Sequence, residues 1–377
     1  MIAEAAGAAA LAIWIYLLLA RGAFWLEFSR RPPAATPLAH APAIVAVIPA
    51  RNEAPCVGQA IASLCSQQYP GRFHIVLVDD GSDDGTADAA RAAAPAGQLT
   101  VIQAAPLPPG WTGKLWAVAE GLRLAADLSP DLLLLTDADI VHAPGTLSDL
   151  AARAESGYGL VSYMATLHCR SVAERALVPA FVFFFFLLYP PSWIRDGRRP
   201  TAGAAGGCML IRRTVLEAIG GIEAIRGALI DDCALARAVK RQSSRVWLSL
   251  HAGTRSIRPY QTFGEIARMI SRTAFTQLNH SVWLLLGTVL GLVLTYLAPP
   301  MLSLFGSTRA AGFGSLAWLL MSVAYFPALR FYGRSPLWAP FLPLVALFYL
   351  GATVHSALAY WQGAGGMWKG RVQDLTR

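Results

Sequence analysis

A chain of 377 residues that is 55% hydrophobic and only 14% charged, with a mean hydropathy of +0.45, is too apolar for an ordinary soluble protein. Membrane spans beside a soluble domain are expected, and the formal charge of +8 suits an anionic lipid surface and a phosphate-bearing substrate. The arginines are scattered rather than gathered in a basic stripe with aromatics, which argues against nucleic acid as a partner. Five cysteines without a CxxC pair fit a reducing compartment, and seven histidines without an HExxH pattern argue against a zinc hydrolase.

Residues 5–20 are almost wholly apolar, Phe24 to Phe28 extend the stretch, and Arg21, Arg30 and Arg31 follow it. A cleaved signal peptide would carry positive charge before its apolar core, whereas the only early charge here is Glu4. Residues 1–28 therefore read as a membrane anchor. The positive-inside rule puts the N-terminus outside and the next domain in the cytoplasm, under a bacterial-type inner membrane. A Pro-rich linker, residues 29–43, separates the two.

Ile44 to Ile48 reads as a buried strand ending in Pro49-Ala50-Arg51-Asn52-Glu53. A helix over 55–68 precedes a second strand, Ile75 to Val78, which ends in Asp79-Asp80-Gly81-Ser82-Asp83-Asp84-Gly85-Thr86. An alanine-rich helix and a strand around Leu99 to Gln103 follow, at the spacing of βαβ units, so an α/β fold with a doubly wound, mostly parallel sheet is expected. GxGxxG is absent after the first strand, which argues against a NAD-type domain. Leu132 to Leu135 reads as a strand buried on both faces, ending in Thr136-Asp137-Ala138-Asp139. Ligands bind beyond the carboxyl ends of such strands. Two acids so close either bracket a cation, for which a divalent metal with oxygen ligands is suited, or cap the following helix.

These three strand-end motifs, in this order, resemble family 2 glycosyltransferases of the GT-A fold, over about Ile44 to Gln277. The form Gly110-Trp111-Thr112-Gly113-Lys114-x-Trp116-Ala117 resembles the branch acting on membrane isoprenoids, including enzymes of hopanoid and carotenoid pathways. The resemblance implies a nucleotide-sugar donor, expected to be UDP-linked. Asp80 would accept from a ring N–H of the base, Pro49 and Arg51 would flank it, and Glu53 would take ribose hydroxyls. Lys114 would lie near the diphosphate, which Asp137 and Asp139 would hold through Mg²⁺ or Mn²⁺. From the residues alone, an Asx-rich turn at Asp79 to Asp84 and a solvated loop at Lys114 stay open.

Further along, Val178 to Pro191 carries an apolar, Phe-rich run too short to span a bilayer, which needs about 20 residues. An interfacial or re-entrant helix admitting a lipid acceptor and a buried core helix are both open. Gly203 to Met209 resembles the family's acceptor-side glycine loop, and Asp231-Asp232 stands where the family carries an acidic pair, usually Glu-Asp. The resemblance makes Asp232 the catalytic base; a helix cap is the structural alternative. Gln242-x-x-Arg245-x-Trp247 approximates the Gln-x-x-Arg-Trp of processive synthases but comes too soon after the base and has one residue too many. At the expected distance stands Arg272, without Gln or Trp; with Arg268 it would bind the diphosphate or lie on lipid headgroups. Three near-spanning apolar segments follow, 282–305, 312–329 and 337–361, within a membrane domain over 278–377. Arg330 and Arg334 would be cytoplasmic, which leaves Lys369, Arg371 and Arg377 outside, against the rule.

The expected function is transfer of a sugar, with inversion, from a nucleotide sugar to a lipid, possible acceptors including hopanoid-type lipids. A processive polysaccharide synthase and a non-catalytic lipid- or sugar-binding membrane protein are the alternatives. The altered arginine motif counts against the first, and retention of Asp80, Asp137, Asp139 and Asp232 counts against the second.

Overall fold

The computed structural model describes residues 1–30, 38, 40–363, 367–368 and 371–372. Most of the Pro-rich linker, residues 31–37 and 39, and the tail residues Lys369 and Arg377 lie outside the described residues. The chain divides into two compact units that interleave in sequence. One comprises residues 32–168, 193–258 and 367–377; the other comprises 1–31, 169–192 and 259–366. Within the 44–277 stretch, 169–192 and 259–277 cluster with the apolar helices.

The first unit is built on a sheet of strands β1 (Ile44–Ala50), β2 (Phe73–Asp79), β3 (Leu99–Gln103), β4 (Leu132–Thr136), β5 (Ile140–His142), β6 (Leu160–Thr166), β7 (Cys208–Arg212) and β8 (Val246–Ser256). Their order is β3-β2-β1-β4-β7-β6-β8-β5. The half β3-β2-β1-β4 is parallel throughout, β7 runs antiparallel to both β4 and β6, β6 and β8 are parallel, and β5 is antiparallel to β8. This is the α/β, doubly wound, mostly parallel sheet that the strand spacing predicts. All five residues of β4 are buried, as a run of leucines in the middle of a covered sheet requires. Pairing of β1 with β4 ends at Val47↔Leu135, so Pro49, which has no N–H, stands beyond that ladder.

Close packing sets one position on the covering helices. In the helix Gly113–Asp127, a Cβ on Gly121 would lie 2.5 Å from Val47 Cγ1 and 2.9 Å from Val78 Cγ2. Glycine is unfavourable inside helices, so its presence here reflects the approach of the helix to β1 and β2. Gly121→Val should therefore destabilise this unit by about 3 kcal/mol, the upper end of ordinary overpacking. Thermal unfolding followed by circular dichroism checks it; an unchanged midpoint would mean the helix lifts away without cost.

The second unit is helical. Among the described residues five segments are long and apolar enough to cross a membrane: Ile2–Leu19, Val172–Arg195 (whose last three residues belong to the first unit), Val282–Phe305, Thr308–Phe331 and Pro336–Trp361. Four correspond to the anchor and the three C-terminal segments expected. The fifth is longer than its apolar run because the helix starts earlier, at a capping box. Ser171 Oγ accepts from Glu174 N at 3.1 Å, and Glu174 Oε2 accepts from Ser171 N at 2.8 Å. Phe183 and Phe186 on this helix are fully buried, with Phe183 packed edge-on against Phe24 and Tyr325, which favours the core reading of the Phe-rich run. Trp14 of the first helix donates to the Thr295 carbonyl at 2.8 Å, tying the anchor to the C-terminal helices.

Candidate active site

The acid-rich turn after β2 sorts into separate roles. Asp79 Oδ1 accepts from Ser82 N at 3.0 Å and its Oδ2 from Gln103 Nε2 at 2.8 Å, closing the turn. Asp84 accepts from Ala54 N at 3.0 Å and Thr86 N at 3.1 Å, capping the starts of helices Ala54–Cys65 and Thr86–Ala93 together. Burial pulls the Asp84 pKa up, but these bonds outweigh it and hold the carboxyl below its ordinary value. Both acids thus do what an Asx-rich turn requires. Asp80 faces Arg51 instead: it is buried, with Oδ2 3.6 Å from Arg51 Nη1, which also donates to the Asp80 carbonyl. The pair joins the carboxyl ends of β1 and β2.

A second group forms where β4, the glycine run and two helix starts meet. Thr112 Oγ1 caps the helix Gly113–Asp127 by accepting from Leu115 N at 3.4 Å, which sets Lys114 in the first turn. Lys114 Nζ lies 2.9 Å from Asp137 Oδ1 and 3.1 Å from Asp231 Oδ2. Asp232 Oδ2 accepts from Gly206 N at 2.9 Å, and its Oδ1 from Cys233 N at 2.7 Å. A Cβ on Gly206 would stand 3.3 Å from Asp232 Oδ2 and 3.4 Å from Lys114 Nζ, so glycine keeps this point open. Asp232 is the second residue of the helix Asp231–Arg241, whose N-cap is Ile230, and stands as a half-buried carboxylate beside Lys114.

Electrostatics follow from the crowding of acids. Burial works against the Lys114 ammonium, but Asp137, Asp231 and Asp232 outweigh it and raise its pKa. Burial raises Asp137, with Lys114 opposing and Asp139 adding to the rise. Asp232 is pushed up to about 6, by burial first and then by Asp231, with Lys114 and the two backbone N–H groups opposing.

Asp139 turns to a different cation. Its Oδ2 accepts from Ser256 Oγ at 2.8 Å and Arg258 Nε at 3.3 Å, while Arg258 Nη2 pairs with Glu53. Ser256 and Arg258 belong to no motif that the sequence offers; pairing of β5 with β8, Ile140↔Ser256, brings them to the site. Glu53, expected at a ribose, is held by Arg258 here. Arg272 lies in the helical unit, exposed at the end of the helix Phe263–Ser271, as Arg268 is within it. Of the motif set aside, Arg245 stacks 4.1 Å over Tyr158, and Trp247 is buried between Arg153 and Arg195, at 4.5 and 5.0 Å. That is packing on β8.

Among the described residues no three or more His, Cys, Asp or Glu side chains are grouped to hold a metal ion. Asp137 and Asp139 nonetheless fit Mg²⁺ or Mn²⁺. Both offer hard carboxylate oxygens, and one oxygen of each lies outside the bonds to Lys114, Ser256 and Arg258. Ions such as Mg²⁺ are commonly held by one or two carboxylates together with substrate phosphates.

A family model described as glycosyltransferase-like family 2 matches residues 41–276. An N-acetylglucosaminyltransferase of Rhizobium leguminosarum bv. viciae is 35% identical over 115 residues, 29% of this chain; the match spans only 25% of that relative's length. A mannosyltransferase from Pyrobaculum calidifontis, solved in complex with GDP-Man and Mn²⁺, superposes with a TM-score of 0.59 at 20% identity, over 94% of this chain and 99% of that one. This likeness shows the fold, GT-A with accompanying apolar helices. Glucosyl-3-phosphoglycerate synthase from Mycobacterium tuberculosis, with Mn²⁺ and UDP-glucose, is more remote, at a TM-score of 0.41 and 18% identity over 63% of this chain and 78% of that one.

Proposed function

This chain belongs to the glycosyltransferase-like family 2, and on that premise we propose that it is a membrane-bound, inverting transferase carrying one sugar from a nucleotide sugar, UDP-linked, to a lipid hydroxyl. The observation that carries the reading is the meeting of Lys114, Asp137, Asp231 and Asp232 around Gly206, at the carboxyl end of β4. One cation stands among acids arranged for a reaction in which a diphosphate leaves as a hydroxyl loses its proton.

Asp80 takes a ring N–H of the base, with Arg51 orienting it and Pro49 at its side. Lys114, in the first turn of a helix, adds its charge and the helix N-terminus to the diphosphate. Asp137 and Asp139 would hold a divalent ion, whose charge would offset that of the leaving diphosphate. Asp232 takes the proton of the acceptor hydroxyl as that oxygen bonds to the anomeric carbon. The bond from that carbon to the phosphate oxygen breaks, and the electron pair leaves with the diphosphate. One displacement inverts the anomeric centre.

The five candidate spans support a lipid acceptor, and the Gly-Trp-Thr-Gly-Lys stretch at Gly110 to Lys114 supports one of hopanoid type. The sheet unit faces the cytoplasm from an inner membrane, where nucleotide sugars are made. Protein in nanodiscs, given UDP- and GDP-sugars and a lipid extract, should yield a singly glycosylated lipid of inverted configuration by mass spectrometry and NMR. Polymer release in place of glycolipid, or hydrolysis of the donor alone, would refute the reading.

A further inference from the structure

After the short helix Pro191–Arg195 the chain runs without regular structure to β7, and its carbonyl groups there have no ladder to join. Three of them, together with the carbonyl of Trp193 in the helix itself, converge on one side chain. Lys240 Nζ lies 3.2 Å from Trp193 O, 3.1 Å from Asp196 O, 2.8 Å from Arg199 O and 2.7 Å from Thr201 O. An ammonium has three protons, so this one is fully engaged, one proton being shared. Charge-assisted bonds of this kind are about twice as strong as neutral ones.

Lys240 stands near the end of the helix Asp231–Arg241, whose first turn carries Asp231 and Asp232. At that start Asp232 Oδ2 accepts from Gly206 N, twenty-six residues earlier in the chain. The helix therefore grips one segment at both ends, about 12 Å apart along its axis at 1.5 Å per residue. Between the grips lies Gly203-Ala204-Ala205-Gly206, which has no long side chain to anchor it. Ser162 Oγ, which accepts from Ala205 N at 2.8 Å and donates to Ala205 O at 3.2 Å, ties it to the sheet, Cys233 Sγ reaches Ala204 O at 3.9 Å, and Lys240 holds its approach.

We propose that Lys240 is a positioning residue for the transfer reaction: its ammonium gathers 193–201 so that the glycine run meets Asp232 and Lys114 in the reactive register. This rests on the proposed transferase reading for its kinetic consequence, though not for its structural one. The residue touches neither donor nor acceptor in this scheme and acts through the backbone it binds.

The test uses the full chain in nanodiscs, comparing wild type with Lys240→Met and Lys240→Arg. Hydrogen exchange should rise at least about tenfold in Lys240→Met at the Arg199, Ala205 and Gly206 amides, which donate to Asp196 O, Ser162 Oγ and Asp232 Oδ2, with β1 unchanged, because opening of the segment no longer breaks the Lys240 bonds. The turnover number for transfer should fall about tenfold or more, a small displacement of reacting groups sufficing for that, with UDP affinity within about twofold. Arginine keeps the charge but fans its donors in a plane, so Lys240→Arg should recover only part of both. Exchange at the Arg199, Ala205 and Gly206 amides within twofold of wild type would overturn the proposal, as would UDP affinity falling in step with turnover. If Lys240→Met does not fold, Lys240→Gln, which retains two donors, is judged by the same two readouts, with changes of at least about threefold expected. If wild type itself transfers no sugar, the exchange measurement still decides whether the clamp exists, so the two failures stay distinct.

Discussion

Asp232→Asn should lower sugar transfer by about 10²–10⁴-fold, the usual worth of a general base, with UDP affinity little changed. The two backbone bonds sharpen what this variant does. An amide has one acceptor oxygen, so it can satisfy Gly206 N–H or Cys233 N–H but not both. The lost bond costs about 1 kcal/mol of stability, too little to unfold the unit, and unfolding is monitored alongside rate. Asp231→Asn removes one of the two carboxylates paired with Lys114 and leaves the other. It should cost transfer about tenfold or less, through the lost orientation of Lys114, while UDP affinity holds or rises, because one acid repelling the diphosphate is gone. If Asp231→Asn abolished transfer while Asp232→Asn preserved it, the base would be Asp231. The pH profile adds an independent check. Asp232 must be ionised to accept a proton, and burial with Asp231 beside it pushes its carboxyl up to about 6. Transfer should therefore rise as pH increases through about 6 and level off above it, with that limb absent from UDP binding.

Chelation of the divalent ion should be the second large effect. A diphosphate entering this site meets Asp137, Asp139, Asp231 and Asp232, against the cations Lys114 and Arg258. One unscreened like-charge contact at 4 Å is worth on the order of 4 kcal/mol at an effective dielectric constant of 20. UDP affinity should thus fall at least a hundredfold in EDTA, about 2.7 kcal/mol, by isothermal calorimetry. Asp139→Ala with Mg²⁺ or Mn²⁺ present should reproduce most of that loss. It also takes one carboxylate partner from Arg258, which keeps Glu53, and one from Ser256, so Ser256→Ala serves as the control that keeps the carboxylate. Equal affinity with and without EDTA, together with a harmless Asp139→Ala, would sink the metal assignment.

Features whose chemistry lies within a few consecutive residues are legible in the sequence. The strands are such features: Ile44 to Ile48, Ile75 to Val78 and Leu132 to Leu135 each announce a covered sheet, and each ends in its polar motif. The anchor and the three C-terminal apolar segments are legible for the same reason, since spanning length and composition are local properties. Which acid does which task is a different kind of question. Asp79, Asp80 and Asp84 share one turn, yet only the partners Gln103, Arg51 and Ala54 separate turn closure from pairing from capping. Arg258 joins Glu53 across 205 residues and Asp139 across 119, through strand pairing that no local pattern encodes. The same holds for Lys240, whose four carbonyl partners are backbone atoms and leave no trace in residue identity. Side-chain type and local periodicity determined the elements and the candidate residues; the tertiary structure decided the pairings, because an ion pair or hydrogen bond depends on where the sheet order β3-β2-β1-β4-β7-β6-β8-β5 carries its two ends.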